Sequence, residues 1–68
     1  MTARILHNEE GYTLRVDNPL GDSFPARETS KEARIDYFDH LLYWKVFEGW
    51  GSNQKATNAA LDLEVVET

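Results

Sequence analysis

The chain has 68 residues, a formal net charge of −5 and no cysteine. A chain of this length forms one domain with a small core, and the lack of cysteine excludes disulfides and thiolate metal sites. The negative charge argues against direct binding to nucleic acid or to anionic membranes. The sequence shows neither a signal peptide nor an apolar run of about 20 residues that would span a membrane. We therefore expect a cytoplasmic protein that needs no cofactor.

The first predicted element is a β-hairpin over residues 3–17. Residues 12–17 alternate apolar and polar side chains, which is typical of a half-buried strand. Asn8 and Gly11 have the residue types that begin a type I turn and close it with a left-handed glycine. These features together predict two antiparallel strands joined by a tight turn.

Two registers of this hairpin remain open. A shorter loop pairs Leu6 with Leu14 and suits the turn chemistry. A loop longer by one residue pairs Ile5 with Leu14 and buries Ile5, but it sets Arg4 opposite Arg15. Because a slip of one residue turns every side chain of a strand to the other face, the two registers predict different cores.

A loop and then a long helix follow the hairpin. Residues 18–28 contain two prolines and a glycine and predict a loop, with Phe24 as its anchor on the body of the domain. Thr29 and Glu32 match a capping box, so we expect a helix over residues 30–48 that Gly49 terminates.

The last predicted element is a strand over residues 61–67, which alternate apolar and acidic side chains. A short helix over residues 53–61 is the competing interpretation, because that segment is rich in helix-forming residues. The predicted fold is α+β, a small β-β-α-β domain with one amphipathic helix packed on a small antiparallel sheet.

The predicted helix carries more apolar side chains than one buried face requires. At 100° per residue, one broad face holds a set of residues that suits the core: Ala33, Ile35, Tyr37, Phe38, Leu41, Leu42, Trp44 and Val46. Tyr43, Phe47 and Trp50 lie on the opposite side. They are either covered by the chain's own loops or form an apolar protein interface.

Two further patterns are candidates for chemistry. Glu32, Asp36 and His40 recur at helical spacing and could orient an imidazole or hold a divalent metal, although a solvated acidic face with an internal ion pair explains the same spacing. Glu32, Asp36, Asp39 and Glu48 define a candidate acidic surface. No serine has the context of a nucleophile and no glycine loop suits a phosphate, so we do not expect an enzyme.

The sequence thus predicts a small acidic, non-catalytic protein–protein interaction domain that contacts its partner through Tyr43, Phe47 and Trp50. The expected partner is a second copy of the chain, giving a homodimer, or another protein that it inhibits or assists. One alternative is an acidic mimic of nucleic acid that blocks a basic nucleic-acid-binding protein. Another is a metal-dependent catalyst that uses Asp36 and His40.

Overall fold

The computed structural model describes residues 2–17 and 24–68. The elements in chain order are β1 (Thr2–Asn8), β2 (Gly11–Asp17), β3 (Ala26–Arg27), α1 (Ser30–Tyr43), α2 (Ser52–Leu61) and β4 (Val65–Glu67). The strands form one sheet in the order β3-β2-β1-β4, in which β4 runs parallel to β1 and the other pairs are antiparallel. The predicted α+β class is confirmed, and the sheet is mixed.

The hairpin adopts the register that buries Ile5, but pairing extends to Asn8 and Gly11, so the loop is only the two residues Glu9 and Glu10. Ile5 pairs with Leu14 and Arg4 pairs with Arg15, and the side-chain oxygen of Asn8 accepts a hydrogen bond from the backbone of Glu10 at 2.9 Å. Burying an isoleucine side chain contributes about 1.5–3 kcal/mol, whereas opposed like charges cost about 1 kcal/mol or less. Burial therefore decides the register, and Ile5 is completely buried at 0% exposure.

The core lies between one face of the sheet and the two helices. In the described part of the chain it comprises nine apolar residues: Ile5, Leu14, Val16, Ala33, Tyr37, Leu41, Ala56, Ala60 and Leu63. Phe24 packs against this core, as the sequence predicts for the anchor of the loop. Alanine at the buried positions of α2 has no long side chain, which allows this helix to lie close to α1.

Helix α1 begins as predicted but ends earlier. The Thr29 hydroxyl oxygen accepts a hydrogen bond from the backbone N–H of Glu32 at 3.2 Å. At the other end, Lys45 N–H donates to the Leu42 carbonyl at 3.2 Å and Val46 N–H donates to the Leu41 carbonyl at 3.0 Å. These two bonds form a Schellman motif with Lys45 in the left-handed conformation at φ +51°. The predicted helix over residues 30–48 is therefore wrong beyond Tyr43.

Replacing Lys45 with glycine is expected to raise the free energy of unfolding by about 0.5–1 kcal/mol. The left-handed conformation costs a non-glycine residue about 1–2 kcal/mol, and the greater freedom of glycine in the unfolded chain offsets about 0.5–1 kcal/mol of that gain. Urea unfolding provides the measurement. Lys45→Ala is the control, because alanine removes the charge but keeps the strain, and an equal gain in both variants would contradict this explanation.

The segment after α1 differs from the predicted order of elements. The competing short helix is present as α2, and the last strand is reduced to Val65–Glu67. Part of the predicted loop forms β3, while residues 18–23 of that loop lie outside the described residues. In residues 2–17 and 24–68, neither helix is both long and apolar enough to cross a membrane.

Candidate protein-interaction site

The last residue of α1 and its connection to α2 carry four large apolar side chains that are exposed. Tyr43 is 77% exposed, Trp44 48%, Val46 44% and Trp50 99%. We call these four residues the aromatic end. The rings of Tyr43 and Trp44 pack edge to face with their centroids 5.2 Å apart. The Schellman motif ends α1 within this group, so the residues after it no longer follow the helical spacing.

Local backbone geometry holds Trp50 away from the body of the domain. Gly49 and Gly51, on either side of it, both have φ +83°, a conformation that favours glycine. The Gly51 carbonyl accepts a hydrogen bond from the Lys55 N–H at 3.0 Å, the first bond of α2. The exposed position of the Trp50 side chain therefore results from a turn that two glycines and the start of α2 fix in place.

The predicted interface residues separate into two groups. Tyr43 and Trp50 are exposed, as an interface requires, but Phe47 is partly buried and packs against the core. Trp44 and Val46, which the helical pattern assigned to the core, are exposed instead. The cause is the early end of α1, because the 100° spacing no longer applies after Tyr43.

Ile35 is also more exposed than its predicted place in the core implies, at 49%. It lines an apolar groove of about 300 Å³ between the two helices together with Phe38 and Leu61. Phe38 and Leu42 pack against the core as expected. The groove is therefore a second apolar surface, separate in the chain from the aromatic end.

The predicted stripe of Glu32, Asp36 and His40, all of them described residues, is not placed to hold a metal ion. Both carboxylate oxygens of Asp36 accept hydrogen bonds from Arg27, at 2.8 and 2.9 Å, and the pair joins β3 to α1. The hydrogen bond and the charge of Asp36 raise the pKa of the Arg27 guanidinium. Among the described residues, no group of three or more histidine, aspartate and glutamate side chains is placed to hold a metal ion.

His40 is buried, at 7% exposure, among aromatic rings. The ring centroid of Phe24 lies 5.7 Å away in an edge-to-face arrangement, and those of Tyr37 and Trp44 lie 6.3 and 6.4 Å away. This packing places the imidazole inside the domain, between α1 and the segment that precedes β3.

One residue of the candidate acidic surface, Asp36, is mostly buried. Asp36 is only 13% exposed because it lies against Arg27, so its assignment to an exposed acidic surface is wrong. Glu32, Asp39 and Glu48 are exposed. Glu32 and Asp39 share one side of α1, since seven residues make about two helical turns, whereas Glu48 lies beyond the end of that helix.

Arg34 binds the end of α2, a contact that no sequence pattern indicates. One terminal nitrogen of its guanidinium donates to the carbonyl oxygens of Ala60, Leu61 and Leu63 at 2.8, 3.1 and 3.0 Å. The last carbonyls of a helix lack partners within the helix, and a cation there is favoured by the helix dipole. Arg34 therefore fixes the end of α2 and the approach to β4.

Tyr37 should make the stability of the domain sensitive to alkaline pH. Burial raises the pKa of its phenol above the unfolded value of about 10. Its contribution to stability is complete below about pH 10 and is lost as the pH rises through the folded-state pKa. We expect the free energy of unfolding to fall as the pH rises above about 10, and to fall less in Tyr37→Phe. Urea titrations across this range measure it, and parallel pH profiles would contradict it.

A comparison of the chain with protein-family models, with curated protein sequences and with solved structures finds no match.

Proposed function

We propose that this chain is a protein–protein interaction domain whose contact surface is the aromatic end, and that its partner there is a second copy of the chain. The observation that carries the proposal is the 99% exposure of Trp50, next to the exposed Tyr43 and Trp44. Tryptophan and tyrosine are enriched among the residues that dominate binding energy at interfaces. Phe47, in the same connection between the helices, packs against the core and anchors this segment to it.

The hydrophobic free energy favours burial of the aromatic end against a partner. Burying one tryptophan removes about 200 Å² from water, which is about 5 kcal/mol at 25 cal/mol per Å², before the costs of association. Among residues 2–17 and 24–68, the largest side chains that are completely buried are Ile5, Leu14 and Leu41. A domain as small as this one is commonly stabilised by assembly, which supports a second copy as the partner.

The first experiment measures molar mass by light scattering over a series of protein concentrations. A dimer has twice the mass of the 7.8 kDa chain. Trp50→Ser and Tyr43→Ser should shift the dissociation constant upward by about tenfold or more. Leu61→Ser is the matched control, because Leu61 is 65% exposed but lies at the end of α2, and this variant should assemble like the wild type.

A second experiment identifies the partner directly. A photo-crosslinking amino acid replaces Trp50, and the protein is irradiated inside the cells that make it. The control places the same amino acid at Lys55, an exposed position of α2. An adduct with the chain itself supports the dimer, and a specific adduct with another protein shows that a different protein is the partner. If Trp50 gives no more adducts than Lys55, the proposed interface is wrong.

Phe47 provides a test of how the surface is built. Phe47→Ser should destabilise the monomer by about 2 kcal/mol or more, because it removes an apolar side chain from the edge of the core and places a hydroxyl there. Trp50→Ser should change monomer stability by no more than about 0.5 kcal/mol. Urea unfolding at a concentration where the wild type is monomeric distinguishes the two residues.

A further inference from the structure

The face of the sheet opposite the helices carries a pair of opposed arginines. Ile5, Leu14 and Val16 point into the core, and strand alternation places Arg4 and Arg15 on the other face. The two arginines are direct cross-strand partners, so their Cβ atoms lie about 5 Å apart. Both side chains are exposed.

Neither arginine is neutralised within the part of the chain that the structure describes. The ion pairs there join His7 to Glu67 and Arg27 to Asp36, and the side-chain hydrogen bonds likewise leave Arg4 and Arg15 without a partner. Asp17 lies in the same depression, of about 330 Å³, which Arg4, Leu6 and Arg15 also line. Among the residues that line this depression, Asp17 contributes the one carboxylate, beside the two guanidinium groups of Arg4 and Arg15.

Apolar side chains adjoin this positive spot. Leu6 belongs to the same face of β1 and pairs with Val66 of β4, and both are only partly buried. The surface thus combines two guanidinium groups, which bind carboxylates in a bidentate manner, with a short apolar strip. Such a combination fits a chain segment that carries both acidic and apolar residues.

We propose that this outer face of the sheet binds an acidic segment of a partner protein, with a carboxylate placed between Arg4 and Arg15 and an apolar residue on Leu6 and Val66. Burial of Ile5 fixes the register that sets Arg4 opposite Arg15. A bound carboxylate would reduce the repulsion between these two charges. The net charge of −5 disfavours nucleic acid and anionic membranes, because their dense negative charge is repelled by the rest of the molecule. A short acidic segment carries less charge and meets less repulsion.

The experiment measures fluorescence anisotropy with a labelled peptide of glutamate and leucine residues spaced by serine, at low salt. A second peptide has glutamine in place of every glutamate. The test variant is the double substitution Arg4→Gln, Arg15→Gln. The control is Lys31→Gln, Lys55→Gln, which removes the same charge from exposed positions on the two helices.

The proposal expects the arginine double variant to bind the acidic peptide at least about tenfold more weakly, and the lysine double variant to change affinity by less than about twofold. The glutamine peptide should not bind, and the affinity for the acidic peptide should fall as salt is added. Trp50→Ser should leave peptide binding unchanged, which separates this surface from the aromatic end.

A stability measurement guards against a variant that fails to fold. Arg15→Glu replaces opposed like charges with an opposite-charge pair, so its melting temperature should rise by about 2–5 °C while its affinity for the acidic peptide is lost. Equal losses of affinity in the arginine and lysine double variants would overturn the proposal, because bulk charge alone would explain them. So would vesicles of anionic lipid that bind the wild type when the acidic peptide does not.

Discussion

Replacing Gly11 with alanine is expected to lower the free energy of unfolding by about 3 kcal/mol, through backbone strain and overpacking acting together. Gly11 has φ +122°, a conformation that residues with a side chain rarely adopt, and a Cβ placed there would lie 2.2 Å from the carbonyl oxygen of Arg27. A domain of this size has a total stability of about 3–10 kcal/mol. The variant should therefore melt about 12–24 °C lower than the wild type, or fail to fold.

The close contact at Gly11 follows from the topology of the sheet. Tyr12, the next residue of β2, pairs with Arg27 of β3, which brings the backbone of β3 against the turn of the hairpin. Arg27 also holds Asp36 of α1 through two hydrogen bonds. A Cβ at Gly11 would displace Arg27 and with it the contact between β3 and α1, so the damage should extend beyond the turn.

Gly49→Ala is the matched control for this prediction. Gly49 also has a positive φ, +83°, but nothing lies within 4 Å of the position that its Cβ would occupy. Its substitution should lower stability by about 1 kcal/mol, from the left-handed backbone alone. Urea unfolding of both variants gives the comparison. Equal losses in the two variants would show that the contact with Arg27 does not matter.

The second large effect is expected at Arg34. Arg34→Met keeps the length of the side chain but leaves the carbonyl oxygens of Ala60, Leu61 and Leu63 without their charged donor. Hydrogen bonds to charged groups contribute about 1.5–3 kcal/mol. Because water can replace part of this interaction at the exposed end of α2, we expect a loss of about 2 kcal/mol in the free energy of unfolding.

Lys31→Met is the control for Arg34→Met. Lys31 is exposed and lies one turn earlier on α1, so its substitution removes the same charge and should change stability by no more than about 0.5 kcal/mol. Hydrogen exchange of α2 supplies a local measurement, since loss of the donor should increase exchange in its last turn. If both variants lose the same stability, the effect comes from the charge of α1 and not from the end of α2.

Several features of this fold were predictable because they depend on residues close in the chain. The capping box at Thr29 is a local hydrogen-bond pattern, and it places the start of α1 at the predicted residue. The alternation around Leu14 marks which side of β2 is buried. The competition between helix and strand after residue 52 was visible in the sequence, but the choice depended on contacts between α2 and α1.

The aromatic end shows why the candidate site was only partly predictable. Helical spacing assigned Trp44 to the core and Phe47 to the interface. In the structure Trp44 is exposed, whereas Phe47 packs against the core. The Schellman motif that causes the exchange has Lys45 at the left-handed position, where glycine is the usual residue, so the sequence pointed instead to Gly49 as the end of the helix.

The sequence by itself determined the α+β class, the hairpin, the beginning of α1 and the excess of aromatic side chains around residues 37–50. Each of these depends on short-range chemistry: side-chain alternation, turn residues and a capping hydroxyl. Only the tertiary structure decided the register that opposes Arg4 and Arg15, the pairing of Arg27 with Asp36 and the exposure of Trp50. Those outcomes depend on which distant segments pack together, because burial of Ile5 and the close approach of α2 to α1 contribute more free energy than the local preferences they override.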